Sequence, residues 1–233
     1  MVPYFEQDGI QIFLGDCRDV LPSLGRECAD LIVTDPPYGV AYSTDRRNGI
    51  QRRTTTIVND IDTAVVEQAK PLMVAALRFR RHAYLFGRWE FDDLPMTSTT
   101  ELIWDKGAWT AGNLELPWAL QHESITFAVK RGPKVTTDGN LAVRLRRGSI
   151  LRYGRPMGTD HPTAKPVALL RELIESSSRF SELVLDPFMG CGPTLLAARL
   201  EGRRAIGIEI EERYAEIAAK RLQQTVLPLE SAA

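Results

Sequence analysis

Leu183-Val184-Leu185-Asp186-Pro187-Phe188-Met189-Gly190-Cys191-Gly192 is the stretch on which the fold turns. Leu183 to Leu185 reads as a buried strand, the two glycines as a tight turn, and Pro193 to Leu200 as a helix. Proline suits the first turn of that helix, where its missing N–H is not needed. Arg204 to Ile208 reads as the next strand, and Glu211 to about Gln223 as the next helix. This βαβα order calls for a parallel sheet with right-handed crossovers. Lys165 to Ser176, with its helical apolar spacing, predicts another helix just upstream.

Working outward toward the N-terminus, Ile10 to Leu14 predicts a strand ending at Gly15-Asp16, and Cys17 to Leu24 a short crossover. Ala29 to Thr34 predicts a second strand, which ends at Asp35-Pro36-Pro37-Tyr38. Thr63 to Arg78 reads as a helix, and His82 to Phe86, Glu101 to Trp104 and Ser124 to Val129 as short strands. Lys130 to Thr159 has the weakest periodicity and is read as a long excursion. There is no internal repeat. The 233 residues, 44% of them hydrophobic, suffice for one α/β domain over 1–233 with insertions.

The glycine turn lies where open α/β sheets bind nucleotides, since Gly190 and Gly192 let the backbone approach a ligand closely. Glu209, nineteen positions after Gly190, ends the next strand, where a carboxylate can accept from both hydroxyls of a ribose. The third glycine of a dinucleotide fingerprint is replaced by Leu195, and no Gly-Lys-Ser/Thr follows. An adenosyl ligand without phosphates is therefore favoured.

A different chemistry attaches to Asp35-Pro36-Pro37-Tyr38. Two successive prolines fix φ and hold the turn extended. An exocyclic amine on a base is a poor nucleophile because its lone pair is delocalised into the ring. The Asp35 carboxylate and the Pro36 carbonyl, both accepting from that amine, would favour a pyramidal nitrogen, and Tyr38 offers a face for stacking. Pro37 completes the rigid turn. A base stacked in a duplex is out of reach, so it must be flipped or single-stranded.

Charge is strongly segregated behind a formal net charge of −1. Residues 41–58 carry Arg46, Arg47, Arg52 and Arg53 against Asp45, a balance of +3. Residues 130–155 carry +7, which leaves −11 for the remainder. Such asymmetry can present a basic face to nucleic-acid phosphates, with 41–58 as an insertion beside the Asp35 turn, and solvated loops without a partner are the alternative on charge alone. Three widely spaced cysteines suit a reducing compartment, and Cys and His lack metal-ligand spacing, so no metal is expected. With no apolar run of about 20 residues, a soluble, cytoplasmic protein without a membrane partner is expected.

Together with His161-Pro162-Thr163-Ala164-Lys165-Pro166, these motifs resemble those of the DNA amino-methyltransferases of adenine-N6 or cytosine-N4 type, over most of residues 10 to 223. The Asp-Pro-Pro-Tyr turn precedes the glycine turn, the circularly permuted order of the β class. The resemblance implies a class I S-adenosylmethionine-dependent methyltransferase fold, a doubly wound, mostly parallel sheet of seven strands ending in a hairpin of Glu101 to Trp104 and Ser124 to Val129. It implies S-adenosylmethionine as cofactor and DNA as partner. Thr163 and Lys165 would meet the methionine part of the cofactor, Asp186, Phe188, Gly190 and Gly192 would line its pocket, Glu209 would hold the ribose, and Asp16 would sit near the adenine amino group. Asp16 also reads as a helix cap. Residues 130–160 form a short target-recognition excursion, so a second subunit could supply part of the readout. Asp at the head of the Pro-Pro turn favours adenine N6. Cytosine N4, an RNA or a protein amide are the alternative acceptors.

Overall fold

The computed structural model describes residues 1–37, 43–48, 51–56, 64–107, 117–132, 147–156 and 165–224. In chain order the elements are β1 (Phe5–Gln7), β2 (Ile10–Leu14), α1 (Cys17–Leu24), β3 (Ala29–Thr34), β4 (Ser43–Asn48), β5 (Gln51–Thr56), α2 (Ala64–Ala76), β6 (Leu77–Phe86), β7 (Met96–Asp105), β8 (His122–Lys130), β9 (Ile150–Arg152), α3 (Val167–Ser177), β10 (Leu183–Asp186), α4 (Pro193–Leu200), β11 (Arg204–Glu209) and α5 (Glu212–Gln224). The main sheet runs β1-β2-β11-β10-β3-β6-β8-β7-β9. From β2 to β6 the neighbours are parallel, and β8 is antiparallel to both β6 and β7.

Strand periodicity sorts the side chains into two cores. Leu31 and Val33 of β3, Val184 of β10, and Tyr84 and Phe86 of β6 face α3, α4 and α5. Their neighbours Ile32, Leu183, Leu185, Ala83 and Leu85 face α1 and α2. Helices therefore cover both faces, and β3 and β10 are near-continuous apolar runs, as strands buried on both sides must be.

Seven strands were expected from the resemblance, and the sheet has nine among the described residues. Both additions are three-residue edge strands. β1 pairs antiparallel with β2 across Asp8 (φ 50°) and Gly9 (φ 78°), the positive-φ pair of a two-residue hairpin. β9 lies parallel to β7 within the predicted excursion. Two boundaries also move. The helix expected over 63–78 ends at Ala76, and β6 begins at once rather than at His82, because Leu77 pairs with Ala29 before a bulge brings His82 opposite Leu31. The insertion at 41–58, expected as a loop, contains the antiparallel pair β4 and β5, in which Arg46 is opposite Arg53 and Arg47 opposite Arg52. No described helix is long and apolar enough to cross a membrane.

Candidate active site at the switch point of the sheet

From β10 the chain crosses through α4 to β11, whereas from β3 it crosses through α2 to β6 on the other side. The winding reverses between β10 and β3, and the crevice beyond their carboxyl ends is where such sheets bind ligands. The glycine turn follows β10, and Asp35-Pro36-Pro37 follows β3, so the two motifs meet there although 151 positions separate Asp35 from Asp186.

Asp186 joins them. Its carboxylate is fully buried and accepts from Thr34 Oγ1 at 2.7 Å, from the backbone N–H of Phe188 at 3.2 Å, and from the Thr194 side chain on α4. Burial pushes its pKa up to about 6, against the pull of those donors. It therefore pins the end of β3, one residue before Asp35, to the glycine turn. Phe188 is half-buried and packs partly on the core beneath α1 and α2.

The glycines have separate reasons. Gly190 has φ 52° and Gly192 φ 73°. A Cβ on Gly192 would lie 2.8 Å from the Cβ of Ala218, so this residue is required by the approach of α5. Gly190 turns its N–H toward Glu209, whose carboxylate also accepts from the backbone N–H of Glu211 at 2.8 Å. Burial pushes Glu209 up to about 7, the backbone donors opposing it. A half-buried carboxylate beside a glycine turn, with no phosphate-binding Gly-Lys-Ser/Thr, fits an adenosyl group in its donor and acceptor chemistry.

Asp16 takes its capping role. Its Oδ1 accepts from the Arg18 backbone N–H at 2.9 Å at the start of α1, and the Arg18 guanidinium holds both carboxylate oxygens, at 2.9 and 2.5 Å. The Arg18 side chain is the main cause that keeps this carboxyl below the usual aspartate range.

Lys165 was assigned to the methionine part of the cofactor by resemblance. Its ammonium lies 2.5 Å from Asp35 Oδ2 and 3.5 Å from Glu123 Oε2, and 4.9 Å from the centre of the Phe86 ring. Burial opposes its charge, but Asp35 and Glu123 together hold its pKa above the usual lysine value. Glu123, at the start of β8, is also 2.5 Å from Lys106, which follows β7. Sequence reading gave Glu123 and Lys106 no role. The available signal was two charged residues bounding predicted strands, which is as common in structural positions as in sites.

Tyr38 and Thr163 lie outside the described residues, as do Trp109 and most of the 130–160 excursion. Trp89 is half-buried against the α1 and α2 core, while Trp118 is exposed. Among the described residues no three His, Cys, Asp or Glu side chains come together as a metal site.

A doubly wound sheet with an acid-and-glycine turn and an Asp-Pro-Pro turn at its switch point defines a class I methyltransferase fold with the order of its two motifs exchanged. A family model described as DNA methylase, of N6/N4 type, matches residues 29–220, and the chain belongs to this family. It is 48% identical to the type II methyltransferase M.HinfI of Haemophilus influenzae over 91% of this chain and 68% of that protein. The fold matches that of the M1.HpyAVI–SAM complex with a TM-score of 0.69 at 22% identity, over 91% of this chain and 98% of that one. It matches that of PvuII DNA methyltransferase, described as cytosine-N4-specific, with a TM-score of 0.72 at 15% identity, over 99% and 90% of the two chains.

Proposed function

We propose that the protein methylates the N6 amino group of adenine in DNA, with the base flipped into the crevice between β3 and β10. The observation that carries this reading is Asp35 at the carboxyl end of β3, fixed to the glycine turn through Thr34 and Asp186. When bound, S-adenosylmethionine supplies an electrophilic methyl carbon on a sulfonium. Asp35 and the Pro36 carbonyl accept from the amine, so that its lone pair points at that carbon, and Tyr38 stacks on the base. The nitrogen becomes cationic as its bond to carbon forms, while the carbon–sulfur electron pair leaves on sulfur. A proton is then lost from the nitrogen past Asp35 to solvent, so no strong base is required. Asp rather than Ser at the head of the turn supports adenine, by resemblance to adenine enzymes. Digesting methylated DNA to nucleosides and measuring them by mass spectrometry tests this. N6-methyladenine is expected, and N4-methylcytosine as the main product would overturn the base assignment while sparing the fold and cofactor.

Glu209 is assigned to the ribose hydroxyls, which donate to its ionised form. Binding should therefore draw the raised pKa down, so cofactor affinity climbs as pH rises toward about 7 and levels off above it. Glu209→Gln should flatten that profile, and Glu209→Ala should weaken the cofactor by about 1–3 kcal/mol. Calorimetry across the pH range reads both effects. An unchanged pH slope in the Gln variant would remove Glu209 from the cofactor site.

Arg46, Arg47, Arg52 and Arg53 are assigned to DNA phosphates. Replacing Arg46 and Arg47 by alanine should lower the slope of log affinity against log salt by about 2, with cofactor affinity retained. An unchanged slope in fluorescence-anisotropy titrations would mean that this ribbon does not neutralise phosphates.

A further inference from the structure

Four charged side chains form an alternating row at the carboxyl end of the sheet: Asp35 after β3, Lys165 before α3, Glu123 at the start of β8 and Lys106 after β7. Lys165 and Lys106 are buried, and their ammonium groups also lie 4.9 and 5.0 Å from the centres of the Phe86 and Trp104 rings. Neither partner of Lys165 is equivalent to the other. Asp35 Oδ2 is at 2.5 Å, whereas Glu123 Oε2, at 3.5 Å, is buried and has no hydrogen-bond partner among the described residues. A buried carboxylate oxygen without a hydrogen bond, 3.5 Å from a buried ammonium and so just beyond hydrogen-bond reach, is an unusual feature of a folded protein, and here it faces the lysine that holds the acceptor-site aspartate.

We propose that Glu123 is a positioning residue for methyl transfer: it takes over the Lys165 ammonium when Asp35 takes the acceptor amine. The inference rests on Asp35 being the acceptor-site carboxylate. Before the base arrives, Lys165 keeps that carboxylate oriented. An incoming amine competes with Lys165 for Asp35, and a buried ammonium cannot be released without another anion to receive it. Glu123 supplies that anion, and although partial burial opposes its charge, Lys165 and then Lys106 on its other oxygen keep this half-buried carboxylate ionised. As the nitrogen becomes cationic it replaces Lys165 beside Asp35, so each cation in the row keeps a carboxylate and no net charge is created in the site. Without the Glu123 charge, Lys165 stays on Asp35 and opposes the developing cation.

The test measures kcat, and KM for both substrates, with tritiated S-adenosylmethionine and long unmethylated DNA of random sequence. Glu123→Gln should lower kcat on the order of 10- to 100-fold, the scale of one oriented charge in a water-poor site, with both KM values within about threefold of wild type. Glu123→Asp, which keeps the charge, should recover most of the rate. In a Lys165→Met background, Glu123→Gln should have no further effect, because its action passes through the lysine. A Glu123→Gln enzyme at wild-type rate would overturn the proposal. So would an undiminished further loss in the Lys165→Met background, or loss of cofactor affinity and thermal stability in both Glu123 variants, which is the result of a merely structural role. Asp35→Ala is run alongside. If that variant keeps the wild-type rate, the acceptor-site reading itself fails, whereas an inactive Asp35→Ala with a fully active Glu123→Gln rejects only the hand-over.

Discussion

Asp35→Ala is expected to lower the rate of methyl transfer by about 10³-fold or more, while cofactor affinity stays within about threefold. The carboxylate is assigned to the acceptor amine and stands after β3, whereas the residues assigned to the adenosyl group stand at the carboxyl ends of β2, β10 and β11. A second consequence comes from Lys165, which is buried and loses its 2.5 Å partner. Glu123 remains at 3.5 Å, so the lysine is not left without an anion, but some loss of thermal stability should accompany the loss of rate. Asp35→Asn preserves the shape and one acceptor oxygen without the charge, and it should be nearly as slow but less destabilised. Initial rates, calorimetric titration of S-adenosylmethionine and thermal unfolding of the two variants separate these effects. If cofactor binding falls as far as the rate does, Asp35 belongs to the cofactor site and the division of roles is wrong.

The largest expected effect on stability is at Asp186. Truncation to alanine leaves the Thr34 hydroxyl, the Phe188 N–H and the Thr194 hydroxyl without their shared acceptor in a fully buried site. This should cost about 3 kcal/mol, and it should slow methyl transfer too, since Thr34 adjoins Asp35. The pH dependence has a definite sign. Burial raises the Asp186 pKa from 3.8 to about 6, so the folded state favours the protonated acid. The stability this group contributes is complete below the unfolded value and is lost as pH climbs through about 6. Asp186→Asn cannot ionise, so relative to wild type it should gain stability between about pH 4 and about pH 7.5. Urea unfolding at the two ends of that window decides. A gap between the two proteins that does not change with pH would mean that Asp186 is ionised throughout in the fold.

Much of the architecture was legible because it rests on local chemistry. The apolar runs at 29–34 and 183–186, the proline at the start of α4 and the glycines before it dictate strand, turn and helix wherever they occur, and their order compels parallel crossovers. The β1 hairpin has a local signal in Asp8-Gly9, but a three-residue strand carries too little periodicity to stand out from the chain around it. β9, a three-residue edge strand, has no such turn to mark it; its place depends on β7 having an open edge.

By itself, the sequence determined the two turns, their permuted order and the carboxylates that end the strands, because backbone conformation at glycine and proline and the burial of alternating side chains are short-range matters. Only the tertiary structure decided which charges meet. Lys165 and Asp35 are 130 positions apart, and their contact exists because α3 packs against β3 and β6, which sets the residues leading into that helix over the carboxyl end of β3. Asp16, equally acidic and equally at a strand end, is instead held by Arg18 two residues away. A long charged side chain has no preferred partner until the fold brings one within about 4 Å in a place where water cannot compete, and that requires all the intervening strands to be in register.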